Sequence, residues 1–190
     1  MSRLPADYHT HNYLCRHAVG TLTEYATAAE QIDVAEIGFS DHAPMAENDY
    51  DDWRMELSQL EIYKQMLAQA KADHPRLTIR AGLEVDYIQG HEPWIKKLAS
   101  LYNWDYLIGS VHYLEDRGWD IDNPEKRHFW LKNDPNTVWK RYFEILTQTA
   151  DSGLFNIIGT EYGLFRLHLS MTIIHRNSLI SKRMARKKSH

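Results

Sequence analysis

Short apolar runs alternate along this chain with longer amphipathic ones, and that alternation constrains the fold more than any other feature. Residues 34–39, 77–87, 106–113 and 154–159 have strand length and are rich in aliphatic and aromatic side chains. Between them lie helical stretches with recognisable ends. Thr21-Leu22-Thr23-Glu24 reads as a capping box that opens a helix through about residue 32. Residues 54–72 form a long helical stretch stopped by His74-Pro75. Pro93 marks the start of a helix to about residue 101. Residues 136–150 form another, with Asp134 near its start and Gly153 past its end. Strand, helix, strand, helix predicts an α/β protein with a mainly parallel sheet.

At 190 residues the chain is long enough for one domain with a substantial core. It has no stretch of about 18 apolar residues, so no membrane span is expected. The start, MSRLPADYHTH, lacks the apolar middle of a secretory signal. Its single cysteine, Cys15, excludes an intramolecular disulfide and fits a reducing cytoplasm, the expected location. Charge is uneven. Seven of the 22 basic residues, and none of the 26 acidic ones, fall between Tyr162 and His190, making that segment +7 and the rest −11. Such a tail is a solvated segment, a nucleic-acid contact, or a segment foreign to the design of what precedes it.

In parallel sheets functional residues gather at the C-terminal ends of strands. Four successive ends here carry histidine or carboxylate. If residues 4–6 begin a strand, alternation puts His9 and His11 on one face, about 6–7 Å apart at Cα. The next ends deliver Ser40-Asp41-His42, Gly82-Leu83-Glu84-Val85-Asp86 and Gly109-Ser110-Val111-His112. Imidazoles with a carboxylate suit divalent Zn, Mn or Fe. A carboxylate such as Glu84 can bridge two ions, and such pairs of ions activate water for phosphoryl displacement. Asp7 can orient a ligand histidine. Simpler roles exist for several of these residues. Asp41 can cap a turn, His42 can be a hydrogen-bonded core histidine, and His17 can face solvent. Asp86 reads as a cap or loop residue rather than a ligand, and Cys15 as a small packed side chain rather than a nucleophile. His74, His91, His128, His168, His175 and His190 show no strand-end phase and read as surface residues. Trp130, Trp139, Tyr142, Phe143 and Leu146 read as a core stripe.

Five ordered motifs then carry a resemblance: Asp7-Tyr8-His9-Thr10-His11, Cys15-Arg16-His17-Ala18, Gly38-Phe39-Ser40-Asp41-His42-Ala43-Pro44, Gly82-Leu83-Glu84-Val85-Asp86-Tyr87 and Gly109-Ser110-Val111-His112-Tyr113. Over residues 4–159 the chain resembles the PHP superfamily (polymerase and histidinol phosphatase), in wording closest to the bacterial PHP-type histidinol-phosphatases. Gly118-Trp119-Asp120 and Ser152-Gly153-Leu154-Phe155 fit that subfamily too. The resemblance implies a distorted (β/α)7 TIM-like barrel with up to three divalent metals. It implies hydrolysis of L-histidinol phosphate to L-histidinol and phosphate, a step of histidine biosynthesis. By position, His9, His11 and Glu84 hold the first metal. Glu84 bridges to the second, which His112 also binds, and His17 and His42 hold the third. Hydroxide activated by the metals attacks phosphorus in line with the leaving alkoxide, and Arg16 contacts phosphate.

After residue 159 the pattern departs. Thr160 stands where the family has a histidine ligand, and residues 160–190 contain no Asp-x-His motif. The expectation is therefore a partial PHP phosphatase domain at 1–159, an incomplete barrel, an atypical basic tail at 160–190 of frameshifted or otherwise aberrant origin, and impaired activity. The partner expected is a small-molecule phosphate ester rather than nucleic acid or membrane. Alternatives are a PHP phosphoesterase acting on a nucleotide or oligonucleotide end, and a non-catalytic metal-binding remnant.

Overall fold

The computed structural model describes residues 4–117, 120–121 and 127–159. The basic tail and Gly118-Trp119 lie outside the described residues, as do the side chains of His128, His168, His175 and His190. Four strands, β1 (Glu36–His42), β2 (Thr78–Asp86), β3 (Tyr106–Ser110) and β4 (Ile157–Ile158), alternate with five helices. These are α1 (Leu22–Gln31), α2 (Leu60–Asp73), α3 (Glu92–Ser100), α4 (Arg127–Lys132) and α5 (Pro135–Asp151). The sheet order is β1-β2-β3-β4. The α/β class expected from the sequence is the one observed. No helix among the described residues is long and apolar enough to cross a membrane. Two units are distinguished, residues 4–83 with 101–106, and residues 84–100 with 107–159.

In the first unit the N-terminal segment runs beside β1 but is not a continuous strand. It makes two isolated parallel bridges, Leu4 to Val34 and Asp7 to Ile37. Pro5 lies between them, and the bridges are three residues apart on both strands, so the two-residue step of a continuous ladder is interrupted there. The Thr21 capping box is present. Glu24 N–H donates to Thr21 Oγ1 at 3.3 Å, and Thr21 N–H to Glu24 Oε2 at 2.7 Å. Leu22, Tyr25, Ala26, Ala28 and Ala29 form the buried face of α1. The helix expected from residue 54 starts later, with a 3-10 turn at Leu57–Gln59 leading into α2. His74 is buried at its end rather than on the surface. Its Nδ1 lies 3.0 Å from Glu30 Oε2 and its Nε2 3.4 Å from Thr27 Oγ1, so the imidazole joins α2 to α1.

Residues Ile37 to His42 of β1 are all buried, as a strand covered on both faces requires. Tyr106 crosses the bases of β1 and β2. Its hydroxyl donates to the Tyr8 carbonyl at 2.7 Å. Its ring fills the space where side chains at Gly38 and Gly82 would stand. A Cβ on Gly82 would meet the ring carbons at 2.5–2.8 Å, and one on Gly38 would meet the Tyr106 and Tyr8 rings. Cys15 packs at the end of a 3-10 turn, Tyr13–Cys15, with no solvent exposure, and its thiol donates to the Asn12 carbonyl at 3.0 Å. Burial first, and the nearby Asp41 carboxylate second, push that thiol up to about 12. It is a packed side chain, as expected.

In the second unit β3 and β4 pair in parallel, with Ile108 opposite Ile157 and Gly109 opposite Ile158. Asp134 caps α5 by accepting from the N–H groups of Asn136 and Thr137, and Pro135 occupies the first turn. Beyond its end Gly153 adopts φ +65°. Val138, Tyr142, Ile145 and Thr149 form the buried face of α5. The expected aromatic core stripe holds only for Tyr142. Trp130, Trp139 and Leu146 are half-buried, and Phe143 is exposed. The i, i+4, i+7, i+11 spacing of Val138, Tyr142, Ile145 and Thr149 rotates Phe143 outward. His91, expected on the surface, is half-buried, with Nε2 3.5 Å from Asp116 Oδ1.

Two outcomes are predicted. Gly82→Ala should cost about 1–3 kcal/mol through overpacking against Tyr106, read as a lower urea midpoint. An unchanged midpoint would show that the ring moves freely. A thiol reagent should label Cys15 only in denaturant at neutral pH. The folded thiol keeps the proton that the unfolded one releases. The stability this contributes is therefore full below pH 9.0 and is lost as pH rises towards about 12.

Candidate metal centre

In the first unit four imidazoles converge where the N-terminal segment, the 3-10 turn and β1 end. Ring centroids lie 5.0 Å apart for His9 and His11, and 5.5 Å for His11 and His17. They are 5.0 Å apart for His17 and His42, and 4.3 Å for the stacked pair His11 and His42. His9 and His11 do share a side of the segment. Thr10 between them is buried and His9 exposed. The Asp7 carboxylate accepts the His9 backbone N–H at 3.1 Å, so it holds the main chain at the first histidine rather than the imidazole. His17 is exposed, yet its ring faces the other imidazoles.

Asp41 is wholly buried beside this cluster. Its Oδ1 accepts the His42 N–H at 3.0 Å and lies 3.3 Å from His11 Nδ1, while Oδ2 has no hydrogen-bond partner. It therefore acts on a histidine ring, and within β1 it accepts the N–H of the next residue rather than capping a turn. Ligand atoms of His11, Cys15 and Asp41 lie within 4.8 Å of one another. Without a metal, burial holds the Cys15 thiol in its protonated form. Tyr63, reaching from α2, accepts the Asp41 N–H at 3.4 Å and donates to the Gly82 carbonyl at 3.0 Å.

Sequence reasoning missed the wall of this cluster. The Trp53 ring stands edge-on to His42, with centroids 4.5 Å apart. Arg54 lies 4.3 Å over Trp53 and is held by Asp51 Oδ2 at 2.6 Å and the Ala43 carbonyl at 3.1 Å. Nothing in residue spacing pointed to that loop. Arg16 has φ 63° and reaches the Asp52 carbonyl and Glu56 Oε1, each at 3.1 Å.

In the second unit the ends of β2 and β3 bring two carboxylates and one imidazole together. Glu84 is buried, and its Oε1 accepts the Ser110 hydroxyl at 2.6 Å. His112 is also buried, with Nε2 3.8 Å from Glu84 Oε1. Asp86 ends β2 rather than lying in a loop, is itself buried, and contacts both the backbone and the ring of His112. Alternation along a strand was the signal. Glu84 and Asp86 share one face of β2, and Ser110 precedes His112 by the same two-residue step. Gly159 matters to this arrangement, since a Cβ there would collide with the Ser110 hydroxyl.

The donor set fits a divalent transition metal. It is imidazole nitrogen and carboxylate oxygen, and the orphaned Asp41 Oδ2 is a buried oxygen with coordination to spare. Comparison with known proteins gives the family. The chain is 39% identical to the "Probable histidinol-phosphatase" of Deinococcus radiodurans, over 80% of this chain and 58% of that protein. It is 35% identical to the histidinol-phosphatase of Bacillus subtilis, over 57% of this chain and 44% of that one. It thus spans about half the length of these curated relatives. A crystal structure of histidinol phosphate phosphatase from Lactococcus lactis, complexed with Zn, L-histidinol and phosphate, shares the fold. Its TM-score is 0.52 at 24% identity, over 58% of this chain and 41% of that one. The PHP domain family model matches residues 7–186. With nearly the whole sequence inside that match and the ordered histidines clustered in the fold, the chain belongs to the PHP domain family.

Proposed function

We propose that this chain is a metal-dependent phosphomonoesterase that hydrolyses L-histidinol phosphate to L-histidinol and phosphate. The observation that carries the reading is the convergence of four imidazoles beside a buried carboxylate. Relatives named histidinol-phosphatase support the substrate. We assign His9, His11, His17, His42, Glu84 and His112 as metal ligands, following the order of the five motifs. Zn is the first ion to test, with Mn and Fe as alternatives and up to three ions per chain. When bound, such ions polarise a phosphoryl oxygen and make water a nucleophile near neutral pH.

The protein's own groups prepare the site. The Tyr8 carbonyl accepts from Ser40 Oγ at 3.0 Å and from the Tyr106 hydroxyl, which fixes the main chain immediately before His9. Asp41 restrains the ring of His11. Ser110 holds one oxygen of Glu84 and thereby sets the direction of the other. Trp53 limits water on the His42 side. Arg16 can serve phosphate only after leaving Glu56, an exposed pair whose loss costs little.

Phosphate release from L-histidinol phosphate should require added Zn or Mn and stop on chelation. His112→Ala should lower kcat/KM by more than about tenfold, since even indirect perturbation of a metal site costs that much. No turnover with any divalent metal, in a sample shown to be folded, would overturn the proposal. Faster release from a nucleotide or an oligonucleotide end than from histidinol phosphate would replace the substrate.

A further inference from the structure

We propose that Asp86 is a positioning residue that fixes the tautomer of His112, placing the ring proton on Nδ1 and leaving Nε2 as an electron-pair donor to metal. The inference rests on the reading of His112 as a ligand given above. One oxygen, Asp86 Oδ1, lies 2.7 Å from His112 Nδ1 and accepts the His112 backbone N–H at 3.2 Å. That oxygen already acts as an acceptor towards the backbone, and as an acceptor it takes the hydrogen of the ring nitrogen that faces it. In a neutral imidazole the other nitrogen then has the lone pair. The shorter of the two contacts is the one to the ring, whereas a simple cap would need only the one to the backbone. Asp86 is 3% and His112 4% exposed, so water competes little for either contact.

The Nε2 of His112 faces a second carboxylate. Nε2 lies 3.8 Å from Glu84 Oε1. Two ligand atoms on one tetrahedral zinc, with bonds near 2.0–2.2 Å, are separated by about 3.4 Å. Glu84 in turn is restrained by Ser110. Asp86 thus selects which nitrogen of His112 is available and holds the ring's rotation at the same time.

The test uses the full chain. Long-range nitrogen–proton NMR of the metal-free protein in mildly alkaline buffer reads the tautomer, and His112→Ala assigns the signal. The wild type should show Nδ1–H. Asp86→Ala should shift His112 towards Nε2–H, the form an unconstrained imidazole prefers in water. Asp86→Asn, whose carbonyl can accept the same hydrogen, should retain Nδ1–H. Zinc affinity, measured by competition with a chelator, should fall about 10–100-fold in Asp86→Ala and less in Asp86→Asn. Nε2–H in the wild type would overturn the proposal, as would an Asp86→Ala protein that keeps Nδ1–H or, if that variant does not fold, an Asp86→Asn protein that has lost it. Unchanged zinc affinity in His112→Ala would instead overturn the ligand reading, while the tautomer result would still stand or fall on its own spectrum.

Discussion

The carbonyl of Tyr8 is the contact on which the first unit depends. It accepts two hydroxyls, from Ser40 in β1 and from Tyr106 at the start of β3. An N-terminal segment with only two isolated bridges would otherwise be weakly held. Tyr106 can reach it only because Gly38 and Gly82 leave the strand surfaces bare. The first histidine follows one residue later. A packing decision deep in the unit, a large ring over two absent side chains, therefore sets where the exposed His9 can be.

Both clusters of chemical groups use the same local device. A buried aspartate at a strand end accepts the backbone N–H of a histidine through one oxygen, and the same oxygen contacts an imidazole Nδ1. Asp41 does so with His42 and His11, and Asp86 with His112 alone. The main-chain contact holds the aspartate in place, and the ring contact spends its remaining capacity on orientation. Buried carboxylates are costly unless their lone pairs are used. Placing them next to histidines satisfies part of that demand and directs the imidazoles as well.

Elements with strong local signals were legible in the sequence. The Thr21 and Glu24 pair, the His74-Pro75 stop and Asp134 before α5 each act through groups a few residues apart, and each marks a helix end in the fold. The strand-end histidines were legible because period-two alternation needs no tertiary knowledge. Pairings between distant residues were not. His74 has the composition of a surface residue, and only the approach of α1 reveals its partners Glu30 and Thr27. The interruption between Leu4 and Asp7 also depends on a distant partner, the 34–37 segment. Trp53 and Arg54 sit on a loop without periodicity, so no pattern could have placed them beside His42. Asp86 was visible but undervalued, since a cap and a ring partner look alike until the histidine is seen.

Gly159 gives the second unit an unexpected reach. It lies 75 positions after Glu84 and touches no ligand-type side chain, yet any larger residue would displace the Ser110 hydroxyl that holds Glu84. A genetic screen would therefore recover lesions at 159 in the same class as lesions at 84. Lesions at 110 would fall in that class too, because they remove the same hydroxyl. The smallest residue in that strand edge is, in effect, a distant allele of the buried glutamate.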